Sequence, residues 1–386
     1  MKRNLLLTPG PTQIPPQLCE VLGRPIIHHR TPQFQEILKE ATEGLKVVFQ
    51  TKNDVLILTS SGTGAMEAAV CNLLSPHDKA ITIDGGKFGE RWSELCQVYG
   101  VDAKVIKVKW GKAVTADEIK KVLDTQKDIR AVFITLTETS TGVTTDVKAI
   151  AEVVKKTKAV LVVDAISGLG ATDLQTDAWG VDVVVSGSQK GFMLPPGLGF
   201  ISVSPKAWEL VKNSKSPKYY FDLTTAKKAI EKTDTPFTPA IGIIIALNES
   251  LKLIKQAGLE KLFTHYARLA KGTREAAKAL GLSLFAEEAC ISNVVTAINL
   301  PSGVDGEKLT KIMRDTHGIT LAGGQDELKG KIVRLSHMGC LDEYDMLTGI
   351  SCLEKVLQEM GYKFTLGVGV AAAQRFFNSK NSTGSF

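Results

Sequence analysis

Apolar residues recur along this chain in two alternating periods. Short runs at Val55–Leu58, Ala80–Ile83, Val105–Val108, Ala131–Ile134, Val160–Val163, Val183–Val185 and Phe200–Val203 read as buried strands. Between several of them lie amphipathic stretches with helical spacing, at Ala65–Leu74, Glu90–Val98, Thr115–Leu123 and Val147–Lys156. Strands alternating with helices predict an α/β domain built on a mostly parallel, seven-stranded sheet with helices on both faces. A long helical pattern, Ile241–Lys255, leads to Gly258, and there the chain changes character. Helical patterns at Leu259–Leu280, Gly306–Thr316 and Asp342–Met360, with apolar runs at Val294–Ile298 and Ile332–Leu335, predict a smaller C-terminal α+β domain. The expected division is an arm over residues 1–20, a large domain over 21–257, a small domain over 258–377 and a disordered polar tail over 378–386.

Composition narrows this picture. At 386 residues, two domains are the natural expectation, and 44% hydrophobic with 23% charged residues is that of an ordinary globular protein. The 47 basic and 41 acidic residues are evenly spread and give +6, too mild a balance to argue for nucleic acid. It suits an anionic small molecule or a phosphate-bearing cofactor. No apolar stretch approaches the roughly 20 residues that span a bilayer, so no membrane association is expected. The start, Met1-Lys-Arg-Asn-Leu-Leu-Leu-Thr8, is too short for a signal-peptide core. Six dispersed cysteines without a C-x-x-C read as reduced thiols of a cytoplasmic enzyme, and six histidines show no metal-ligand spacing.

The candidate chemistry gathers at strand ends. Asp164 closes the run Val160–Val163, and Lys190 follows the run Val183–Val185 in Ser186-Gly-Ser-Gln-Lys190-Gly191. Carboxyl ends of neighbouring strands are where open α/β sheets build their sites. A lysine amine can form a Schiff base with an aldehyde cofactor, and an aspartate can hold a protonated ring nitrogen; pyridoxal phosphate (PLP) chemistry needs both. Each residue alone has a bland reading, a solvated lysine and a helix-capping aspartate. Thr59-Ser-Ser61-Gly62-Thr63-Gly64 joins a strand to a helix and can seat an anion at the helix N-terminus, or be a capped turn. Phe88, in Asp84-Gly-Gly-Lys87-Phe88-Gly89, can stack on a ring or simply be half-buried. Thr139, in Thr137-Glu138-Thr139-Ser140-Thr141-Gly142, offers a hydroxyl to a ring oxygen or to a turn. Arg334 sits in an expected strand, where a guanidinium needs an anion: a substrate carboxylate or a structural ion pair.

Taken in order, these residues resemble the class V aminotransferases, PLP enzymes of fold type I, and within them the alanine–glyoxylate and serine–glyoxylate/pyruvate branch. The resemblance spans about residues 4 to 375 and includes Leu7-Thr-Pro9-Gly10-Pro11-Thr12 and His28-His-Arg-Thr-Pro32. It implies that Lys190 forms the cofactor linkage and then shuttles a proton, while Asp164 binds the pyridinium nitrogen. Phe88 would stack on the ring, where mammalian-type relatives carry Trp. Ser61, Gly62, Thr63 and Gln189 would hold the phosphate, and Thr139 the ring hydroxyl. Thr235 and Thr238 would reach the phosphate of a neighbouring subunit in a homodimer with shared sites. Arg334 and Gly10 would contact the substrate. The implied reaction moves an amino group from alanine or serine to glyoxylate or pyruvate, with ping-pong kinetics.

Three rivals remain. A cysteine desulfurase needs a nucleophilic cysteine upstream of the carboxylate-binding arginine, and none lies between Cys290 and Cys340; Gln189 also replaces the usual histidine. A phosphonate- or phosphoserine-type aminotransferase needs extra basic groups in the pocket. A non-catalytic accessory subunit is opposed by the intact Lys190 and Asp164.

Overall fold

The computed structural model describes residues 4–379, so the expected tail lies outside the described residues apart from Asn378 and Ser379. The seven apolar runs form one seven-stranded sheet. Its strands are β1 (Val55–Ser60), β2 (Lys79–Asp84), β3 (Asp102–Lys107), β4 (Ile129–Thr135), β5 (Val160–Asp164), β6 (Val183–Gly187) and β7 (Gly197–Val203), in the order β1-β7-β6-β5-β4-β2-β3. All pairs are parallel except those of β7, which runs antiparallel to both β1 and β6. β5 and β6 are buried at every position, as the strand centre of a sheet covered on both faces must be. The chain moves outward from β2 to β3 and then returns to β4 on the other side of β2. The crevice at that reversal is where such sheets place their ligands.

Several helices escaped the sequence pattern, among them Pro16–Leu22, Pro205–Asn213, Leu223–Ile230, Val368–Phe377 and the longest, Pro32–Phe49. Pro32–Phe49 follows Thr31, whose side chain accepts from the Phe34 amide at 3.3 Å, with proline in its first turn. It buries Phe34, Leu38, Leu45 and Phe49 in the same cluster as Ile244, Leu247 and Leu251 of helix Ile241–Ala257.

The C-terminal part holds an antiparallel three-stranded sheet with Ile332–Ser336 at its centre, flanked by Val295–Asn299 and Ala322–Gly323. The N-terminal segment enters this part's core. Leu5–Leu6 pairs in parallel with Ile319–Thr320, and the Leu7 carbonyl accepts from the Ser336 amide at 2.8 Å. Leu5 and Leu7 pack in one cluster with Leu335, Met346 and Ile350. The segment then returns to the large sheet, where the Thr12 amide donates to the Gln189 carbonyl at 3.1 Å. It thereby straps the small sheet to the loop that carries Lys190.

That packing has a measurable consequence. Leu7 is fully buried, so Leu7→Ala should lower the unfolding free energy by about 2–4 kcal/mol. Urea denaturation measures this; a loss below about 0.5 kcal/mol, the size expected of surface changes, would make the segment peripheral.

Candidate active site

β1 runs directly into helix Gly62–Leu73. Ser61 stands at the N-cap with extended backbone, yet its hydroxyl makes no capping bond. The helix starts three residues earlier than its apolar spacing predicts, so Gly62, Thr63 and Gly64 form its first turn. The Gly62 and Thr63 amides precede the first helical hydrogen bond and are open to an anion. Space explains the glycine: a Cβ at Gly62 would come within 2.6 Å of the Ile166 side chain. Gln189 is close by, since a Cβ at Gly187 would lie 3.0 Å from its Oε1 and 3.3 Å from the Gly62 amide. That Oε1 is buried with no partner.

Asp164 and Lys190 sit at the ends of β5 and β6, and both are buried. The Asp164 carboxylate accepts from the Ile166 amide at 2.8 Å and has no side-chain partner. Burial, reinforced by the Glu138 charge, pushes its pKa up to about 7 against the pull of Arg91 and Lys190. The Lys190 amine donates to the Pro9 carbonyl and forms no ion pair. Burial, with the Arg334 and Arg91 charges, brings its pKa down to about 8, although Asp164 opposes this. Gly10 lies against the Lys190 side chain at φ +128°, a conformation that favours glycine, and a Cβ there would overlap that side chain.

Arg334 crosses from the small sheet into the same region. It is 6% exposed, its Nε donates to the Gly323 carbonyl at 2.9 Å and its Nη1 to the Thr139 carbonyl at 2.7 Å. No carboxylate pairs with it among the described residues, which sets aside the structural ion pair. Burial draws its pKa down to about 10. Such a guanidinium is an unfilled anion receptor. The Thr139 hydroxyl is buried without a partner. His337, next along the same strand end, is buried against Thr296 Oγ1 at 2.8 Å, and burial pushes its pKa down to about 3.

Sequence reasoning gave no role to two residues of this site. Glu138 is 5% exposed; one oxygen accepts from the Phe88 and Gly89 amides at 3.0 and 2.9 Å, the other from the Ser140 amide and hydroxyl at 3.1 and 2.6 Å. It thus caps helix Lys87–Val98 from another loop and fixes Phe88. A Cβ at Gly86 would crowd Glu138 and Ser140. Arg91 donates to Thr63 Oγ1 at 3.2 Å and lies 5.1 Å from the Phe88 ring centroid. Its place three residues after Phe88, on the same helical face, was the available signal. Thr235 and Thr238 are not brought to this cluster: Thr235 Oγ1 donates to the Phe237 carbonyl, and both line the surface beside Leu58 and Thr59. All six cysteines are free, three of them buried, and no metal-holding cluster occurs among the described residues. No helix there is long and apolar enough to cross a membrane.

Fold and site together place the protein among the fold type I enzymes that use pyridoxal phosphate. Within them it belongs to the class V aminotransferases, whose family model (Aminotransferase class-V) matches residues 7–340. The chain is 47% identical to the soluble hydrogenase 42 kDa subunit of Anabaena cylindrica, over 97% of this chain and 99% of the relative. It is 38% identical to the L-aspartate–glyoxylate aminotransferase of Paracoccus denitrificans, over 97% and 96%. The solved alanine–glyoxylate aminotransferase of Nostoc sp. superposes with a TM-score of 0.89 at 30% identity, covering 92% of this chain and 96% of that one.

The residues present fit the cofactor. The unpaired Asp164 carboxylate suits a protonated ring nitrogen, the orphaned Thr139 hydroxyl a ring oxygen, and the open Gly62 and Thr63 amides a phosphate.

Two outcomes follow from this geometry. In cofactor-free protein, acylation of Lys190 followed by mass spectrometry should show a midpoint near the pKa of about 8, because burial favours the neutral amine; a midpoint at an ordinary lysine's value near 10.4 would mean a solvated side chain. Glu138→Gln leaves one acceptor oxygen for four donors. It should cost about 1–3 kcal/mol in denaturant unfolding.

Proposed function

We propose that this protein is an aminotransferase acting on a small L-amino acid, alanine or serine, with glyoxylate or pyruvate as acceptor. One observation carries the reading: Lys190, Asp164 and Arg334 converge, all buried, with no ion-pair partner among the described residues. Bound there, PLP supplies an electron sink for the charge left when the amino acid loses its Cα proton.

The protein's own groups do the rest. Lys190 would carry the cofactor, and its freed amine, which burial favours in the neutral form, would take the Cα proton and return one at the cofactor's C4′. Asp164 holds a proton on the ring nitrogen; a cation placed there offsets the burial that raises its pKa. Phe88, whose amide is held by Glu138, would stack on the ring. Ser61, Gly62, Thr63 and Gln189 hold the phosphate, and Thr139 the ring hydroxyl. Arg334 takes the substrate α-carboxylate with Gly10 alongside, and its two carbonyl bonds aim the remaining N–H groups.

Of the two arginines whose charge reaches Lys190, Arg91 is engaged by Thr63 and Arg334 is assigned to the α-carboxylate. Among the described residues no third guanidinium acts on Lys190 to serve a second carboxylate, so small donors are favoured over aspartate. A homodimer accounts for Thr235 and Thr238, which would serve the neighbouring subunit. The surface beside them carries Tyr219 and Tyr220, 80% and 45% exposed, clustered with Phe237, as an interface would. The protein is assigned to the cytoplasm.

A second reading, a non-catalytic subunit of a larger complex, draws on the hydrogenase-subunit name of the Anabaena relative. The visible spectrum separates the two. The purified protein should show the band of lysine-linked PLP, lose it on adding L-alanine or L-serine, and regain it with glyoxylate or pyruvate. L-aspartate should bleach it far more slowly, and Lys190→Ala should abolish transfer while leaving far-UV circular dichroism unchanged. A colourless protein that PLP cannot reconstitute would support the accessory subunit, and aspartate as the best donor would overturn the donor assignment.

A further inference from the structure

Arg91 is the charge in this site that the reading above leaves without work. It extends from helix Lys87–Val98 to the first turn of helix Gly62–Leu73, where its Nη1 donates to Thr63 Oγ1 at 3.2 Å. Its guanidinium also lies 5.1 Å from the centroid of the Phe88 ring. Nearby carboxylates are engaged elsewhere: Glu90 with Lys87, and Glu67 as acceptor of the Tyr99 hydroxyl. No carboxylate forms an ion pair with Arg91 among the described residues, although its charge acts at longer range on Asp164.

We propose that Arg91 is a positioning residue for the cofactor's phosphate, acting through the hydroxyl of Thr63. The proposal rests on the reading of the Ser61–Thr63 turn as the phosphate seat. Its logic is the single hydrogen of a hydroxyl. An N–H of Arg91 occupies a lone pair of Thr63 Oγ1, so the Thr63 hydrogen points away from Arg91. Thr63 is the second residue of its helix, and an anion seated on the open amides is the acceptor on that side. The guanidinium polarises the hydroxyl it donates to, which strengthens the outgoing hydrogen bond. Its positive charge, held in no contact ion pair among the described residues, would also attract a phosphate seated on that turn. Contact with the Phe88 ring holds the arginine in place. One side chain therefore couples the phosphate seat to the ring-stacking aromatic, two features that lie far apart in sequence.

The test compares cofactor-free wild-type protein with Arg91→Lys, Arg91→Gln, Thr63→Val and the double variant Arg91→Gln/Thr63→Val. Dissociation constants are measured for PLP, for inorganic phosphate and for pyridoxal, which has the ring and aldehyde but no phosphate. Arg91→Gln should weaken PLP and phosphate by about tenfold to a hundredfold, the scale of a lost charge-assisted hydrogen bond. Pyridoxal should change by no more than about twofold, within the scale of an exposed ring contact. Arg91→Lys should recover part of the loss, because charge returns without the planar fork. The double variant should be little worse than the poorer single one, because both remove the same relay. Thermal unfolding of each cofactor-free variant confirms folding, and Thr63→Val carries the test should Arg91→Gln unfold. Wild-type affinity for PLP in Arg91→Gln would overturn the proposal, as would pyridoxal weakened as much as PLP. Wild-type protein that binds none of the three would instead overturn the cofactor-site reading itself.

Discussion

The structure is organised around charges held away from water without partners. Asp164, Lys190 and Arg334 are each less than a tenth exposed, and none forms an ion pair. Isolated buried charge is among the most costly features a fold can carry. The sheet tolerates it because each group keeps one or two backbone bonds and because Asp164 attracts Lys190 while Glu138 attracts Arg334. The cost is visible in how the groups ionise: burial raises the carboxyl and lowers the amine and the guanidinium. On the proposed reading, a cationic ring nitrogen would answer Asp164, an aldehyde Lys190 and a substrate carboxylate Arg334.

That arrangement depends on how the two sheets are joined. Arg334 belongs to the small sheet but hydrogen-bonds to Thr139, in the loop that follows β4. Glu138, one residue earlier, ties the same loop to the start of helix Lys87–Val98 and to Phe88. Lys87, at that helix start, pairs with Asp326 of the C-terminal part at 2.8 Å. On the other side, the N-terminal segment bonds to the small sheet through Leu7 and to the Lys190 loop through Thr12, whose hydroxyl donates to the Lys190 carbonyl at 3.0 Å. Arg334 and Lys190 are therefore registered by short backbone contacts on two sides. Rigid registration of this kind holds reacting groups in place without further ordering on binding.

The alternating apolar periods determined the large sheet by themselves. All seven runs became its strands; in the interior strands, covered on both faces, the apolar signal is continuous and local, whereas edge strand β3 has no buried residue. Asp164 and Lys190 were legible for the same reason: a charge directly after such a run lies at a strand end. Helix starts were less so. The helix after β1 begins at Gly62 and the one after β2 at Lys87, both earlier than their apolar spacing indicates, because open amides and the distant Glu138 replace local caps. Local pattern carries no information about a cap supplied from fifty residues away. The tertiary structure alone decided that Arg334 has no ion-pair partner among the described residues, that Leu5 and Leu7 belong to the core of the C-terminal part, and that Arg91 meets both Thr63 and Phe88. Each of these is a contact between segments whose separation in sequence leaves no periodic trace. They exist only once the sheet has brought its strand ends together.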